Sequence, residues 1–253
     1  MRKITFLVTM SIFVLNVSIW AITGSEVLKR VEERMIGEKA PKDMEAIMRM
    51  IIVSPKGSKK VRELKAWTKN NINEDDWRVM KFLSPPDIKN VGFLVLSDEQ
   101  MYLYLPEFRR IRRIASHNKK ESFMGSDFSY DDMGTSGFSR YYEVKLIKED
   151  DKEWVLELSR KPKADKPYKR IKMWVSKESE LPAKMEMYDN SDELWKVSEE
   201  ENKKIGEYWI PFKINMKDVK KNSFTTLEMK DIKVDQGLGK EIFTNRFLRR
   251  RVK

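Results

Sequence analysis

Four arginines fall within five positions, Arg109, Arg110, Arg112 and Arg113. A guanidinium cluster grips phosphate or carboxylate through paired N–H donors, and an exposed one attracts an anionic surface. A charge run is as often a plain solvated face, so both readings stand at this stage. The next segment alternates aromatic and acidic residues: Phe123, Asp127, Phe128, Tyr130, Asp131 and Asp132. Solvated loops rarely carry such large aromatics, so this one is expected to fold back onto the body of the protein. Its three aspartates lack the spacing of a 12-residue calcium loop. Turn hydrogen bonds and ion pairs with the nearby arginines are the expected roles. His117 is the single histidine and there is no cysteine, which excludes thiol catalysis and histidine-rich zinc sites. Ser116 adjoins His117, but adjacency in sequence does not make a catalytic dyad. No catalytic residue, metal site or cofactor is assigned, and the chain is not read as an enzyme.

Something must hold these residues in place, and the first question is where. Arg2 and Lys3 precede a mostly apolar run over residues 4–19, and Trp20-Ala21 follows. A charged start, an apolar stretch and a small residue at the end make a signal peptide of residues 1–21, cleaved on export to the periplasm. Thr5, Thr9, Ser11, Asn16 and Ser18 interrupt the run, which falls short of the ~20 apolar residues of a spanning helix. A retained anchor is the alternative. The formal charge of +11 favours an anionic membrane or an acidic partner. Export argues against nucleic acid.

Residues 22–253 read as one domain. Thr23 and Glu26 have capping-box spacing, Val27, Leu28, Val31 and Met35 recur at helical period, and Gly37 sits where the helix would stop. After Pro41 the period changes to two. Strands are expected over 45–52, 63–67, 77–83, 92–96, 101–105, 141–148, 153–160, 168–175, 183–189, 194–199, 208–216 and 224–234, with a short helix or turn over 240–248. Even spacing and hairpin-length gaps imply an antiparallel meander curled into a barrel or a strongly curved sheet. The fold class is therefore mainly β.

One curved sheet with a single sizeable helix has little to cover its concave face. Apolar residues on that face then line a pocket suited to an acyl chain. The candidates are Met48, Met50, Leu64, Leu94, Tyr102, Tyr104, Met185, Met187, Phe212 and Met216. Methionine adapts to irregular apolar partners, and its recurrence supports the idea, although an ordinary core uses the same residues. Phe123, Met124, Gly125, Ser126, Asp127, Phe128 and Tyr130 form the candidate lid, and the four arginines its rim.

Several strings support a resemblance along the mature chain. They are Leu105-Pro106, Arg112-Arg113-Ile114 and, most specifically, Phe123-Met124-Gly125-Ser126-Asp127-Phe128-Ser129-Tyr130-Asp131-Asp132. Upstream lie Phe82-Leu83-Ser84-Pro85 and Gly92-Phe93-Leu94; downstream lie Leu181-Pro182-Ala183-Lys184, Tyr188-Asp189 and Phe243-Thr244-Asn245-Arg246. In this order they resemble the outer-membrane-lipoprotein-sorting proteins, the LolA/LolB-like exported carriers. The resemblance implies an incomplete β-barrel, a strongly curved antiparallel sheet with a helix and loop lid over its concave face. It further implies binding of lipid or lipoprotein acyl chains in transit between membranes. The implied partners are an acylated lipoprotein or lipid, an inner-membrane transporter complex and an outer-membrane acceptor, with the carrier a monomer. A non-enzymatic accessory module of a membrane exporter is the second reading, and a hydrolase the third.

Overall fold

The structure, a computed structural model, describes residues 22–72, 75–134 and 137–252. The expected signal segment, residues 1–21, lies outside the described residues. The first element is helix α1 (Gly24–Met35), and it starts as its sequence dictates. The Thr23 hydroxyl accepts from the Glu26 N–H at 3.2 Å, while the Glu26 carboxylate accepts from the Thr23 N–H at 2.7 Å. The helix ends at Met35, with Ile36 as its C-cap and the expected Gly37 directly after it. Val27, Leu28 and Val31 are buried on its inner side. Gly24 is required there, because a Cβ would stand 2.6 Å from the Leu146 backbone nitrogen.

Thirteen strands follow. The first six are β1 (Asp43–Val53), β2 (Lys59–Lys69), β3 (Trp77–Ser84), β4 (Gly92–Ser97), β5 (Gln100–Leu105) and β6 (Arg110–Arg113). A short helix, α2 (Tyr130–Gly134), lies in the connection to the second group. That group is β7 (Tyr142–Glu149), β8 (Glu153–Arg160), β9 (Arg170–Ser176), β10 (Pro182–Tyr188), β11 (Leu194–Ile205), β12 (Tyr208–Asp218) and β13 (Ser223–Val234). A last short helix, α3 (Asn245–Arg249), closes the chain.

All thirteen strands form one antiparallel sheet in the order β6-β5-β4-β3-β2-β1-β13-β12-β11-β10-β9-β8-β7. Two meanders are thus welded at the centre by β1 and β13, from Met44 opposite Val234 to Val53 opposite Phe224. The sheet is strongly curved and does not close, so the fold is an incomplete β-barrel. Its two free edges are β6 and β7, and residues 114–141 run from one to the other. The β6 edge is only four residues long and is mostly arginine, a composition that resists pairing with another sheet.

Both faces of one wing of this sheet are buried. The concave face carries the main core, with Met48, Met50, Leu64, Phe82, Phe93, Met101, Leu156, Leu158 and Met173 among its residues. A second, smaller core lies on the convex face of β2–β5. There the C-terminal segment packs Phe243 and Leu248 against Trp67, Val79, Leu94 and Tyr104, and Phe247 meets Trp67 edge-on at 5.3 Å. This corrects three sequence expectations. Leu94 and Tyr104 belong to this outer core and Tyr102 packs against it, so none of them faces the concavity. Alternation in β4 and β5 separates two sets of side chains but cannot say which set faces inward when both are buried.

Lys81 ties the outer layer down. Its side chain is fully buried, and Nζ donates to the carbonyls of Leu248 (3.0 Å), Phe247 (3.4 Å) and Arg250. It thereby supplies a donor to the Leu248 and Arg250 carbonyls at the end of a short helix, and shares the Phe247 carbonyl with the Arg250 N–H. Burial lowers its ammonium to about 8. Replacing Lys81 by Met takes the ammonium donor from the Leu248 and Arg250 carbonyls and is expected to cost about 2 kcal/mol. Urea unfolding measures the loss, and limited proteolysis within residues 238–252 should accelerate in the variant.

Candidate functional site

The connection between the two free edges does not hang open. Residues 123–133 cross the concave face and are fixed at both ends. Phe123 is fully buried, with its ring 5.2 Å from Phe93, 6.0 Å from Phe82 and 5.5 Å from Tyr130. Met124 and Gly125 turn the chain with φ of 52° and 75°, and the Arg62 guanidinium donates to the Met124 carbonyl. Then Asp127 reaches the centre of the sheet. Its carboxylate accepts from Ser223 Oγ at 2.5 Å and Thr225 Oγ1 at 2.7 Å, both on β13. Its own N–H donates to Thr225 Oγ1 at 3.0 Å.

α2 carries the other two aspartates. Asp131 pairs with Lys166 Nζ at 3.0 Å, and Lys166 also reaches Asp98 at 2.8 Å. Asp132 accepts from Lys196 Nζ at 3.1 Å, Tyr168 Oη at 2.8 Å and the Ser129 N–H at 2.7 Å. The aspartates therefore pair with lysines and hydroxyls distant in sequence, not with Arg109–Arg113 as their proximity suggested. Burial raises the Asp131 carboxyl against the pull of Lys166. Burial works on Asp98 in the same direction, but Lys166 outweighs it and holds Asp98 below the usual range. The Tyr168 phenol is pushed well up, first by burial and then by Asp132.

Beneath α1 and this loop lies a cavity of about 310 Å³, at the small end of the ~300–1,000 Å³ typical of ligand sites. Nine methionines line it: Met35, Met44, Met48, Met80, Met133, Met185, Met187, Met216 and Met229. Four sequence candidates are among them, Met48, Met185, Met187 and Met216. Met50 and Leu64 are fully buried in the inner core and do not reach the cavity. Phe212 is also off the lining, because the β11–β12 register slips beside it, between Glu201 and Asn202. Of the lid candidates, Phe128 lines the cavity; Phe123, Ser126, Asp127 and Tyr130 are buried in the cover itself.

The four arginines are exposed at or beside the edge strand β6 and are not part of the lining. Arg113 donates to the Glu99 carbonyl at 2.8 Å. They are therefore not the rim of the cavity as the sequence suggested. The cations that do line it are Arg34, Arg78 and Lys166. Phe108, in the turn before β6, is 61% exposed beside Arg109 and Arg110.

The lining also holds carboxylates that sequence reasoning missed. Asp76 is buried, and its carboxyl is pushed up to about 6 by burial, with Arg78 opposing. Glu200 is pushed up to about 7 by burial, with a hydrogen bond from Ser198 opposing. On β11 the inward residues are Lys196, Ser198 and Glu200, while Val197 and Glu199 point away. The apolar alternation of this strand thus suggests the wrong face; only the inward Met216 opposite Ser198 reveals the register.

Comparison with known proteins follows from this geometry. A family profile described as that of an uncharacterized protein matches residues 74–250, more than half of the chain. The fold is similar to a domain from Vibrio parahaemolyticus assigned to outer membrane lipoprotein sorting, at 25% identity and a TM-score of 0.82, covering 90% of this chain and 98% of that one. The chain belongs to the family of that profile, and its fold is that of a LolA-like incomplete barrel. A DUF1329 family protein from Desulfovibrio piger shares the fold at 24% identity and a TM-score of 0.81, covering 89% of this chain and 98% of that one. A LolA superfamily protein from Nitrosomonas europaea does so at 20% and 0.71, covering 90% of this chain and all (100%) of that one. No curated protein matches significantly.

In this LolA-like fold the string around Asp127 acts through structure, by pinning the cover to β13. Asp127→Ala is expected to destabilise the fold by about 3 kcal/mol, since it removes charge-assisted hydrogen bonds and strands two buried hydroxyls. Urea unfolding reads the loss, and increased binding of a hydrophobic dye in native buffer reports the uncovered concave face. Thr225→Val should give a smaller effect in the same direction.

Proposed function

We propose that the protein is an exported, non-enzymatic carrier that takes up lipid or lipoprotein acyl chains in the methionine-lined cavity and moves them between envelope membranes. The observation that carries this reading is an apolar, flexible lining on a face that the sheet itself leaves uncovered. Each methylene moved there from water contributes about 0.8 kcal/mol, so one chain supplies useful affinity without any covalent step. A carrier must also release, and methionines permit exchange among ligands of unequal shape. His117 lies exposed on a short 3₁₀ turn, Ser116–Asn118, outside the cavity lining, which favours a carrier over a hydrolase. Among the described residues no helix is long and apolar enough to cross a membrane. Residues 1–21 serve as the export signal in this proposal, and residues 22–253 as one working domain.

Met185→Trp projects bulk into the cavity from β10. Native mass spectrometry of the exported wild type is expected to find bound lipid, and a fluorescent acyl probe should bind it saturably. The variant should bind the probe at least about tenfold more weakly, the scale of losing two methylenes of burial. A wild type that neither carries lipid nor passes labelled lipid to acceptor vesicles would favour an accessory module of an exporter instead.

The arginines and Phe108 serve docking rather than the cavity. An exposed aromatic flanked by cations suits an anionic bilayer surface. Partitioning onto vesicles with acidic phospholipids is expected to fall about fivefold for each of Arg109, Arg110 and Arg112 changed to Gln, at about 1 kcal/mol per cation near the surface. Neutral vesicles should show little change, and added salt should erase the difference.

A further inference from the structure

Most buried carboxylates around the cavity have a cation. Asp131 has Lys166 at 3.0 Å, Asp132 has Lys196 at 3.1 Å, and Asp76 has Arg78 at 3.9 Å. Glu200 differs. It lines the cavity from β11, and its hydrogen-bond partner is the Ser198 hydroxyl at 3.1 Å. Cross-strand from this pair stand Ile214 and Met216 on β12, and Met185 stands opposite Ser198 on β10. The groups paired with Glu200 and Ser198 across the sheet are thus alkyl and thioether. Glu200 is part-buried, and a carboxyl in such surroundings is a cost to the fold, because withdrawal from water without a cation or several donors is not repaid. A leucine would fill the same place at no such cost.

We propose that Glu200 is the polar recognition point of the cavity, receiving the hydrogen-bond-donating end of an amphiphile (an ammonium, amide or hydroxyl) whose alkyl chain lies against the methionines. This rests on the carrier reading above and narrows its cargo. An ammonium gives Glu200 the cation that the protein withholds, and an amide or hydroxyl supplies a donor. A carboxylate or phosphate placed there meets a like charge in a medium of low polarity, so it is rejected. Selection of this sign runs against the protein as a whole: at a net charge of +11, nonspecific attraction would favour anions.

The other charged or titratable groups lining the cavity are Arg34 from α1, Asp76 and Arg78 around the start of β3, Asp131 and Asp132 on α2, Tyr142 on β7, and Lys166 and Tyr168 before β9. Asp131 and Asp132 are paired with Lys166 and Lys196. Asp76, held near 6, titrates below Glu200, held near 7. Amine affinity should therefore rise as pH increases through about 7, where Glu200 gains its charge.

The test is isothermal titration of the exported protein with dodecylamine, N-methyldodecanamide, an N-dodecanoyl dipeptide amide and dodecanoate, each below its micellar concentration. At pH 8 dodecylamine is expected to bind at least about tenfold more tightly than dodecanoate, the scale of one charge-assisted hydrogen bond. The two amides should fall between them. Equal binding of both amides assigns the site to the amide group itself, and preference for the dipeptide assigns it to an acylated chain terminus. Glu200→Leu should bring amine and carboxylate to within about twofold of each other and abolish the pH dependence. It should also raise the unfolding temperature, which guards against misfolding as the cause. Glu200→Gln should retain amide binding and lose the amine preference. If amine and carboxylate bind wild type equally and Glu200→Leu changes neither, the recognition role is overturned while the carrier reading stands. If no probe binds and Met185→Trp makes no difference, the carrier reading falls and this proposal with it.

Discussion

Asp127 on Ser223 and Thr225 is the contact on which the rest of the architecture depends. A sheet of thirteen strands that never closes leaves two edges and a wide concave face, and apolar residues on that face require a cover. The chain supplies it from the segment that must travel between the edges anyway. A carboxylate buried against two hydroxyls fixes where that segment crosses β13, and the crossing sets the position of Phe123, Phe128 and α2. The aromatic cluster with Phe82 and Phe93 then packs around a crossing point that this directional contact helps to set.

The two covers of the cavity are held by different physics. The 123–133 loop is tied by buried groups: Asp127 to hydroxyls, Asp131 and Asp132 to Lys166 and Lys196. Breaking any of these strands a polar group away from water. α1 buries Val27, Leu28 and Val31, and its polar ties are partly exposed pairs, in which Arg34 (3.0 Å) and Arg30 (3.6 Å), with Lys39 (3.5 Å) just past the helix, converge on Glu180 in the turn before β10. Glu32 adds hydrogen bonds from the Phe138 and Ser139 N–H groups at 2.7 Å each. Exposed ion pairs are individually weak and screened by salt, so the polar ties of the helix are softer than those of the loop. A carrier gains from that asymmetry, since one wall holds shape while another admits cargo.

Stability and function pull in opposite directions inside the cavity. Methionines where leucines would pack more rigidly, and a glutamate where leucine would cost less, both loosen the core. The outer layer compensates. The C-terminal segment buries Phe243 and Leu248 on the convex face and is held by Lys81, far from any ligand. Rigidity is thus placed on one side of the sheet and adaptability on the other.

Much of this was legible in the sequence. The capping box at Thr23 and Glu26, the strand pattern, the curved antiparallel sheet and the importance of the 123–133 string all follow from period, spacing and local turn chemistry, which act over a few residues. The helical residues of α2 and the brief strand β6 were not legible, being too short to show a period. Which face is inward was beyond the sequence wherever both faces are apolar, as at Leu94 and Tyr104, or where the inward face is polar, as at Lys196, Ser198 and Glu200. Partners separated by tens of residues were equally hidden: Asp127 with Thr225, Asp132 with Lys196, Lys81 with Leu248. Local interactions determine what each segment becomes. Only the closing of the two meanders on each other decides which charges meet and which carboxyl faces the methionine-lined cavity, because those pairings exist only once the sheet has curved.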